Sequence, residues 1–196
     1  MKKLILLGII ILSFAVQAGN LETGLEYVKN KNYEQAEQYL LKALQEENKK
    51  ERKAIAYKYL GVMYDAQKKY DKSEQMYKKA IENGDAVAYN NLGAIYLNQG
   101  KFDKAESMFL KALQNGDTEA YYNLGILYFH QNKYDKAEQM FLKAAQNGDV
   151  KAYYNLGAIY YNQNRYSDAK KYFKIAAEKG HQEAAAYYNK LIKEGY

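Results

Sequence analysis

Apolar positions along this chain recur at helical spacing, and no stretch alternates with the period of two that a strand would show. Within 118–149, Tyr121, Leu124, Gly125 and Tyr128 stand at i, i+3, i+4 and i+7. Ala137, Met140, Phe141, Ala144 and Ala145 repeat that spacing in the second half of the segment. Two amphipathic helices are therefore predicted there, and the same pair of patterns recurs without a gap in four 32-residue blocks, 54–85, 86–117, 118–149 and 150–181. An earlier unit at 20–48 places Gly24, Tyr27, Tyr33, Ala36 and Ala43 in the corresponding positions. Five charged residues, 49–53, separate it from the first full block and read as a longer surface loop or an extra helical turn, not as a domain boundary. The segment 182–194 reads as one more first helix, with Tyr187, Leu191 and Ile192 packing inward and Lys190, Lys193 and Glu194 facing water.

Polar residues mark the ends of these helices. Asp71 with Glu74, Asp103 with Glu106 and Asp135 with Glu138 have the spacing of a capping box, and Ser167 stands at the matching place in the last block, so each second helix is expected to start there. Gly84, Gly116, Gly148 and Gly180 can take the left-handed conformation that ends a helix, and the Asp after the first three can cap the next one. One block is thus a helix, a tight turn and a second antiparallel helix. Gly125 and Ala137 are small enough to let the two helices approach, while Leu124, Tyr128, Tyr134 and Phe141 are expected to fill the space around them. Such a hairpin is apolar on both faces, so stacked copies cover one another and only the terminal units need a polar exterior.

Composition narrows the chemistry. The 196 residues include 23 tyrosines but no proline, cysteine or tryptophan, which excludes disulfide frameworks, thiolate metal sites and a cysteine nucleophile. The first eighteen residues form a separate region: Met1-Lys2-Lys3 is basic, Leu4 to Val16 is an apolar run, and Val16-Gln17-Ala18 offers small residues at the positions a signal peptidase reads. This is the pattern of an export signal cut after Ala18, leaving 19–196 as the mature repeat domain in the periplasm or outside the cell. This run of thirteen residues, interrupted only by Gly8 and Ser13, falls short of the ~20 that span a bilayer. Removing Lys2 and Lys3 lowers the formal net charge from +6 to +4.

The spacing Tyr121-x2-Leu124-Gly125-x2-Tyr128, followed by Ala137-x3-Phe141 and Ala144, resembles the tetratricopeptide repeat, with Tyr where that family usually has Trp. These blocks run 32 residues and close on Gly-Asp, where that family runs 34 and carries a proline. The stretch Ala176-Ala177-Glu178-Lys179-Gly180, then Ala184, is similar to the Sel-one-like relative of the family, so the chain reads as a hybrid of the two. The resemblance implies an all-α fold, an α-solenoid of stacked antiparallel helix hairpins in a right-handed superhelix. It also implies a non-enzymatic task, holding a protein or peptide on the concave face lined by the first helices. Transferred position by position, that face would contain Tyr59, Asn91, Leu97, Tyr122, Asn123, Phe129, His130, Tyr154, Asn155 and Tyr161. Aromatic rings there can bury apolar side chains, and asparagines can both donate to and accept from a peptide backbone. The family's clamp for a C-terminal carboxylate is not reproduced: Lys58 and Asn91 fit it, but Val62, Glu119 and Asn123 replace the other members.

Charge offers a second surface. Lysines at the hairpin turns give one edge a sum of +4, and the opposite rim, from Glu82 to Lys151, sums to −4. Electrostatic binding of the lysine edge to an anionic membrane surface or envelope polymer is therefore the alternative reading. Nucleic acid is not expected as a partner, because the net charge is small and the signs alternate. Ser73 takes a packing position and Ser107 an exposed one, while His130 and His181 lie in different blocks, so neither a catalytic constellation nor a metal pair is suggested, and no cofactor is implied.

Overall fold

The computed structural model describes residues 19–196, so the expected export signal at 1–18 lies outside the described residues. These form α-helices joined by short turns, without a strand among them, in two compact units that divide between Ile95 and Tyr96. The first unit contains α1 (Asn20–Lys29), α2 (Tyr33–Glu46), α3 (Lys50–Ala66), α4 (Tyr70–Glu82) and most of α5 (Val87–Asn98). The second contains α6 (Phe102–Gln114), α7 (Ala120–His130), α8 (Tyr134–Gln146), α9 (Val150–Asn162), α10 (Tyr166–Glu178) and α11 (Gln182–Lys193). Within each unit successive helices pack side by side as antiparallel hairpins stacked in series, the all-α solenoid that the resemblance implies. The five additional residues add a helical turn: α3 has 17 residues, against 11 in α7 and 13 in α9. Arg52 in that turn pairs with Glu47 and reaches Glu22 on α1 at 2.8 Å.

Both turns of a hairpin unit end a helix in the same way. At the link between hairpins Gly84, Gly116, Gly148 and Gly180 have φ of 85–95°, and Asp149 N–H reaches back to the Ala144 carbonyl at 3.0 Å. The expected caps form there: Asp85, Asp117 and Asp149 accept the N–H of Val87, Glu119 and Lys151 at 3.0, 3.1 and 2.8 Å. At the turn inside the hairpin the left-handed residue is Lys31, Lys68, Gly100, Asn132 or Asn164, and Lys133 N–H bonds the Tyr128 carbonyl at 2.9 Å. That geometry fixes where the next helix begins, and it begins two residues before the start that caps at Asp71, Asp103 and Asp135 would set. Tyr70, Phe102, Tyr134 and Tyr166 open the second helices behind Lys69, Lys101, Lys133 and Arg165, whose side chains make no capping bond. The capping boxes anticipated at Asp71, Asp103 and Asp135 are thus not formed, and Ser167 is not a cap. The three aspartates instead lie inside the first turn, where a negative charge meets the positive end of the helix dipole.

Close approach inside each hairpin rests on a bare backbone facing a large side chain. A Cβ placed on Gly125 would lie 2.5 Å from Phe141 Cε1, one on Gly157 would lie 2.6 Å from Phe173 Cδ1, and one on Gly61 would lie 2.7 Å from Tyr77 Cε1. Ala36, Ala105, Ala137 and Ala169 are fully buried on the facing helices, and Ser73, at the equivalent place, donates to the Gly61 carbonyl at 2.8 Å. Tyr134 does not join this core as expected. It is 42% exposed and sets its ring edge-on to Phe129 at 5.5 Å, because the early helix start carries it to the rim of the turn. In α11, Leu191 is fully buried but Ile192 is 50% exposed, because one helical step of about 100° carries it off the face that packs on α10.

Neighbouring hairpins are tied by a contact that joins different blocks. Tyr64, Tyr128 and Tyr160 donate their hydroxyls to Glu37, Glu106 and Glu138 at 2.6, 2.6 and 2.5 Å, while Lys72, Lys136 and Arg165 lie over the same rings at 5.2, 5.3 and 4.3 Å. Burial, followed by the Glu106 carboxylate, pushes the Tyr128 phenol up to about 12, and burial followed by Glu37 or Glu138 pushes Tyr64 and Tyr160 up likewise.

The glycine contact predicts its own mutant. Alanine is favoured over glycine in a helix by about 1 kcal/mol, whereas overpacking a filled core costs about 1–3 kcal/mol. Gly125→Ala is therefore expected to lower the urea midpoint of unfolding, and an unchanged or raised midpoint would show that the ring is free to move aside.

Candidate functional site

The first helices of the second unit bury one face and offer the other. In α7, Leu124, Gly125, Leu127 and Tyr128 are buried, leaving Tyr122, Asn123 and Phe129 half-buried and His130 exposed. In α9, Leu156, Gly157, Ile159 and Tyr160 are buried, leaving Tyr154, Asn155 and Tyr161 half-buried. Asn155 Nδ2 donates to the Tyr122 hydroxyl at 3.3 Å, which brings two of the expected site residues from different blocks together. Beside them opens a hollow of about 520 Å³ lined by Glu119, Tyr122, Asn123, Asn147, Asp149 and Lys151, among others.

Tyr154 and Tyr161 have a different environment from the open groove floor that the sequence suggests. Tyr154 is stacked on His181 with ring centres 4.5 Å apart and planes 11° from parallel, and Tyr187 of α11 stands 6.3 Å away. Tyr161 meets Tyr187 at 5.8 Å and Tyr166 at 5.4 Å, and its hydroxyl accepts from Lys190 Nζ at 2.8 Å. The last helix therefore lies across this end of the face. Burial, then the charge of Glu183, raises the Tyr154 phenol above its ordinary value. Phe129 is held by Tyr134 and stands 6.5 Å from the His130 ring, and Leu97 is half-buried. In the first unit Tyr59 packs against the core with Lys58 over its ring at 5.7 Å, and Asn91 is half-buried.

Comparing blocks exposes a pairing that reading one block at a time misses. In two places the residue at the fifth position of a block meets the residue that caps the next first helix, 27 positions later. Lys58 Nζ lies 2.9 Å from Asp85 Oδ2, and Tyr154 stacks on His181. Lys58, which fits the carboxylate clamp by position, is thus engaged by an aspartate of its own chain. Of the hairpin-turn lysines, Lys72, Lys101, Lys104 and Lys136 lie over tyrosine rings. Among the described residues no group of three His, Asp or Glu is placed to hold a metal ion.

His181 has two roles at once, accepting the Ala184 N–H through Nδ1 at 3.2 Å and stacking on Tyr154. Loss of a helix cap costs about 1 kcal/mol. In His181→Ala, amide hydrogen exchange over 184–191 is expected to quicken by about 5-fold or more while α7 and α8 keep their protection. Unchanged protection in α11 would mean that the helix is held without the histidine.

A family model described as tetratricopeptide repeat matches residues 24–85 and 84–148, and another of the same description matches residues 150–179. No curated protein sequence matches the chain significantly. Among solved structures, that of Pseudomonas aeruginosa pilF shares 23% identity over 89% of this chain and 82% of its own, with a TM-score of 0.77. PilW, described as a widely conserved type IV pilus biogenesis factor, shares 22% over 90% and 91%, with a TM-score of 0.69. YrrB, described as a TPR protein with an unusual peptide-binding site, shares 21% over 87% and 90%, with a TM-score of 0.63. At these identities the likeness is one of fold.

Proposed function

The chain belongs to the tetratricopeptide repeat family, and from that premise we propose that it is a non-enzymatic scaffold holding a protein or peptide segment on the open face of its first helices. The observation that carries this reading is the face of α7 and α9, where Tyr122 and Asn123 border an open hollow and Asn155 fixes the Tyr122 hydroxyl. Half-buried rings can cover apolar side chains at low entropic cost, and side-chain amides serve an extended backbone in either direction.

We place the scaffold in the cell envelope or outside the cell. The apolar and basic pattern of residues 1–18 supports export, and so does the absence of cysteine from a protein that would meet an oxidising compartment. The pilus biogenesis role printed for PilW is compatible with that location. The repeat units are taken as 20–48, 54–85, 86–117, 118–149 and 150–181 with a closing helix at about 182–194. The Gly-Asp and Gly-His links support a Sel-one-like join between tetratricopeptide hairpins.

A photo-crosslinking residue at Thr118, beside the hollow, tests the reading in intact cells, with Ser107 on the exposed side of α6 as the control position. One adduct of defined mass is expected from 118 and not from 107, reduced at least about 5-fold by Tyr122→Ala. Equal adducts from both positions, or none from 118, would remove the face as a binding surface. Attachment of the lysine edge to an anionic surface is the second reading, favoured by the cations at successive hairpin turns of the second unit, Lys104, Lys136 and Arg165. These rest on tyrosine rings, so the scaffold reading predicts no flotation with phosphatidylglycerol vesicles even at low salt, and salt-sensitive flotation would reverse the order of the two.

A further inference from the structure

At two links between hairpins a capping residue meets the residue at the fifth position of the preceding block. In the first unit Asp85 divides its carboxylate: Oδ1 accepts the Val87 N–H at 3.0 Å, and Oδ2 receives the Lys58 ammonium at 2.9 Å. At the end of the second unit Tyr154 meets the buried Phe173 at a tilt of 50° with centres 5.8 Å apart, and it stacks on His181 at 4.5 Å. Both sites are places where a flat ring or a carboxylate receives a nitrogen group.

The link between α8 and α9 combines one half of each. Tyr122 meets Phe141 at 5.8 Å and 56°, nearly the same packing that lets Tyr154 stack on His181. Asp149, 27 residues on, uses Oδ1 as a cap for the N–H groups of Lys151 and Ala152 at 2.8 and 3.4 Å, as Asp85 does, which leaves Oδ2 over. The residue that would be lysine by analogy with Lys58 is Tyr122 itself, and the residue that would be histidine by analogy with His181 is Asp149. Between them lies the hollow of about 520 Å³, with Glu119 on its border. Its charged side chains, Glu119, Asp149 and Lys151, sum to −1, and among the described residues none of the three is in an ion pair.

We infer that this hollow is a subsite for an arginine side chain of the bound segment, its guanidinium lying on the Tyr122 ring and donating to Asp149 Oδ2. Tyr122 supplies the platform that Tyr154 supplies to His181, and Asp149 supplies the acceptor that Asp85 supplies to Lys58. A guanidinium satisfies both at once, because it is planar, stacks on aromatic faces and carries five donors in a fork, so Glu119 can take a second bond. An ammonium can meet the carboxylate but cannot lie flat on the ring, which makes lysine the weaker ligand. The subsite rests on the scaffold reading for its biological use, though not for its chemistry.

The test is an amide-resolved NMR titration of the chain from Gly19 onward with three acetylated and amidated tripeptides, glycine–X–glycine with arginine, lysine or glutamine at the centre. Saturable shifts are expected at Glu119, Tyr122, Asp149 and Lys151 with the arginine peptide, bound about 10-fold more tightly than the glutamine one, with lysine between. Asp149→Asn retains a capping oxygen and the fold, and is expected to abolish most of the arginine preference. Equal binding of arginine and glutamine peptides, equal binding of arginine and lysine, shifts confined to other residues, or a preference untouched by Asp149→Asn would each overturn the subsite. Since the probe is independent of any cellular partner, a failed crosslink from Thr118 with a positive titration removes the scaffold reading alone, and the converse removes the subsite alone.

Discussion

A glycine without a side chain, pressed under an aromatic ring, is the contact on which the rest of this structure depends. Gly61 faces Tyr77, Gly125 faces Phe141 and Gly157 faces Phe173, at distances that leave no room for a methyl group. In the first unit Gly24 faces Leu40 in the same manner. Two helices held this close rotate as one body, so the side chains to either side of the glycine are fixed in direction. Residue 124 goes into the core, and residues 122 and 123 go to the open side. The presentation of the functional face is therefore a consequence of the hairpin core rather than a separate feature.

Hairpins so formed need ties to their neighbours, and these are polar. A tyrosine of one first helix donates to a glutamate of the preceding second helix, and a lysine or arginine covers the same ring. An acid, a phenol and a cation arranged in this way satisfy one another near the surface, where each alone would be worth little. This gives tyrosine a specific use at those positions, where the ring must be apolar at its base and must donate at its tip. It also uses glutamates that the sequence pattern assigns to helix caps.

Short-range signals in the sequence predict the links between hairpins, though not the caps of the second helices. The glycine at each link, the aspartate after it and the small residues facing each other all act within a few positions or along one helix, and each is found in its expected role. The second helices start two residues before their expected caps because the turn ahead of them places Lys68, Gly100, Asn132 or Asn164 in a left-handed conformation, a role that no composition rule reserves for lysine. The open face was legible as a register, and Tyr122, Asn123 and Asn155 come together on it. Tyr154 and Tyr161 share that register but meet α11, and the segment that covers them is legible only as another first helix. Pairings between a fifth position and a cap 27 residues away, such as Lys58 with Asp85, require two blocks to be held side by side and cannot be seen inside either one.

The glycine contact can be observed directly in solution through the ring current of its partner. In a proton NMR spectrum of the folded chain, the α protons of Gly125 and Gly157 should be displaced upfield by the rings of Phe141 and Phe173, with cross-relaxation linking each glycine to its phenylalanine. Glycine α protons at ordinary helical positions, with no cross-relaxation to those rings, would contradict the close approach and with it the account of how the open face is presented.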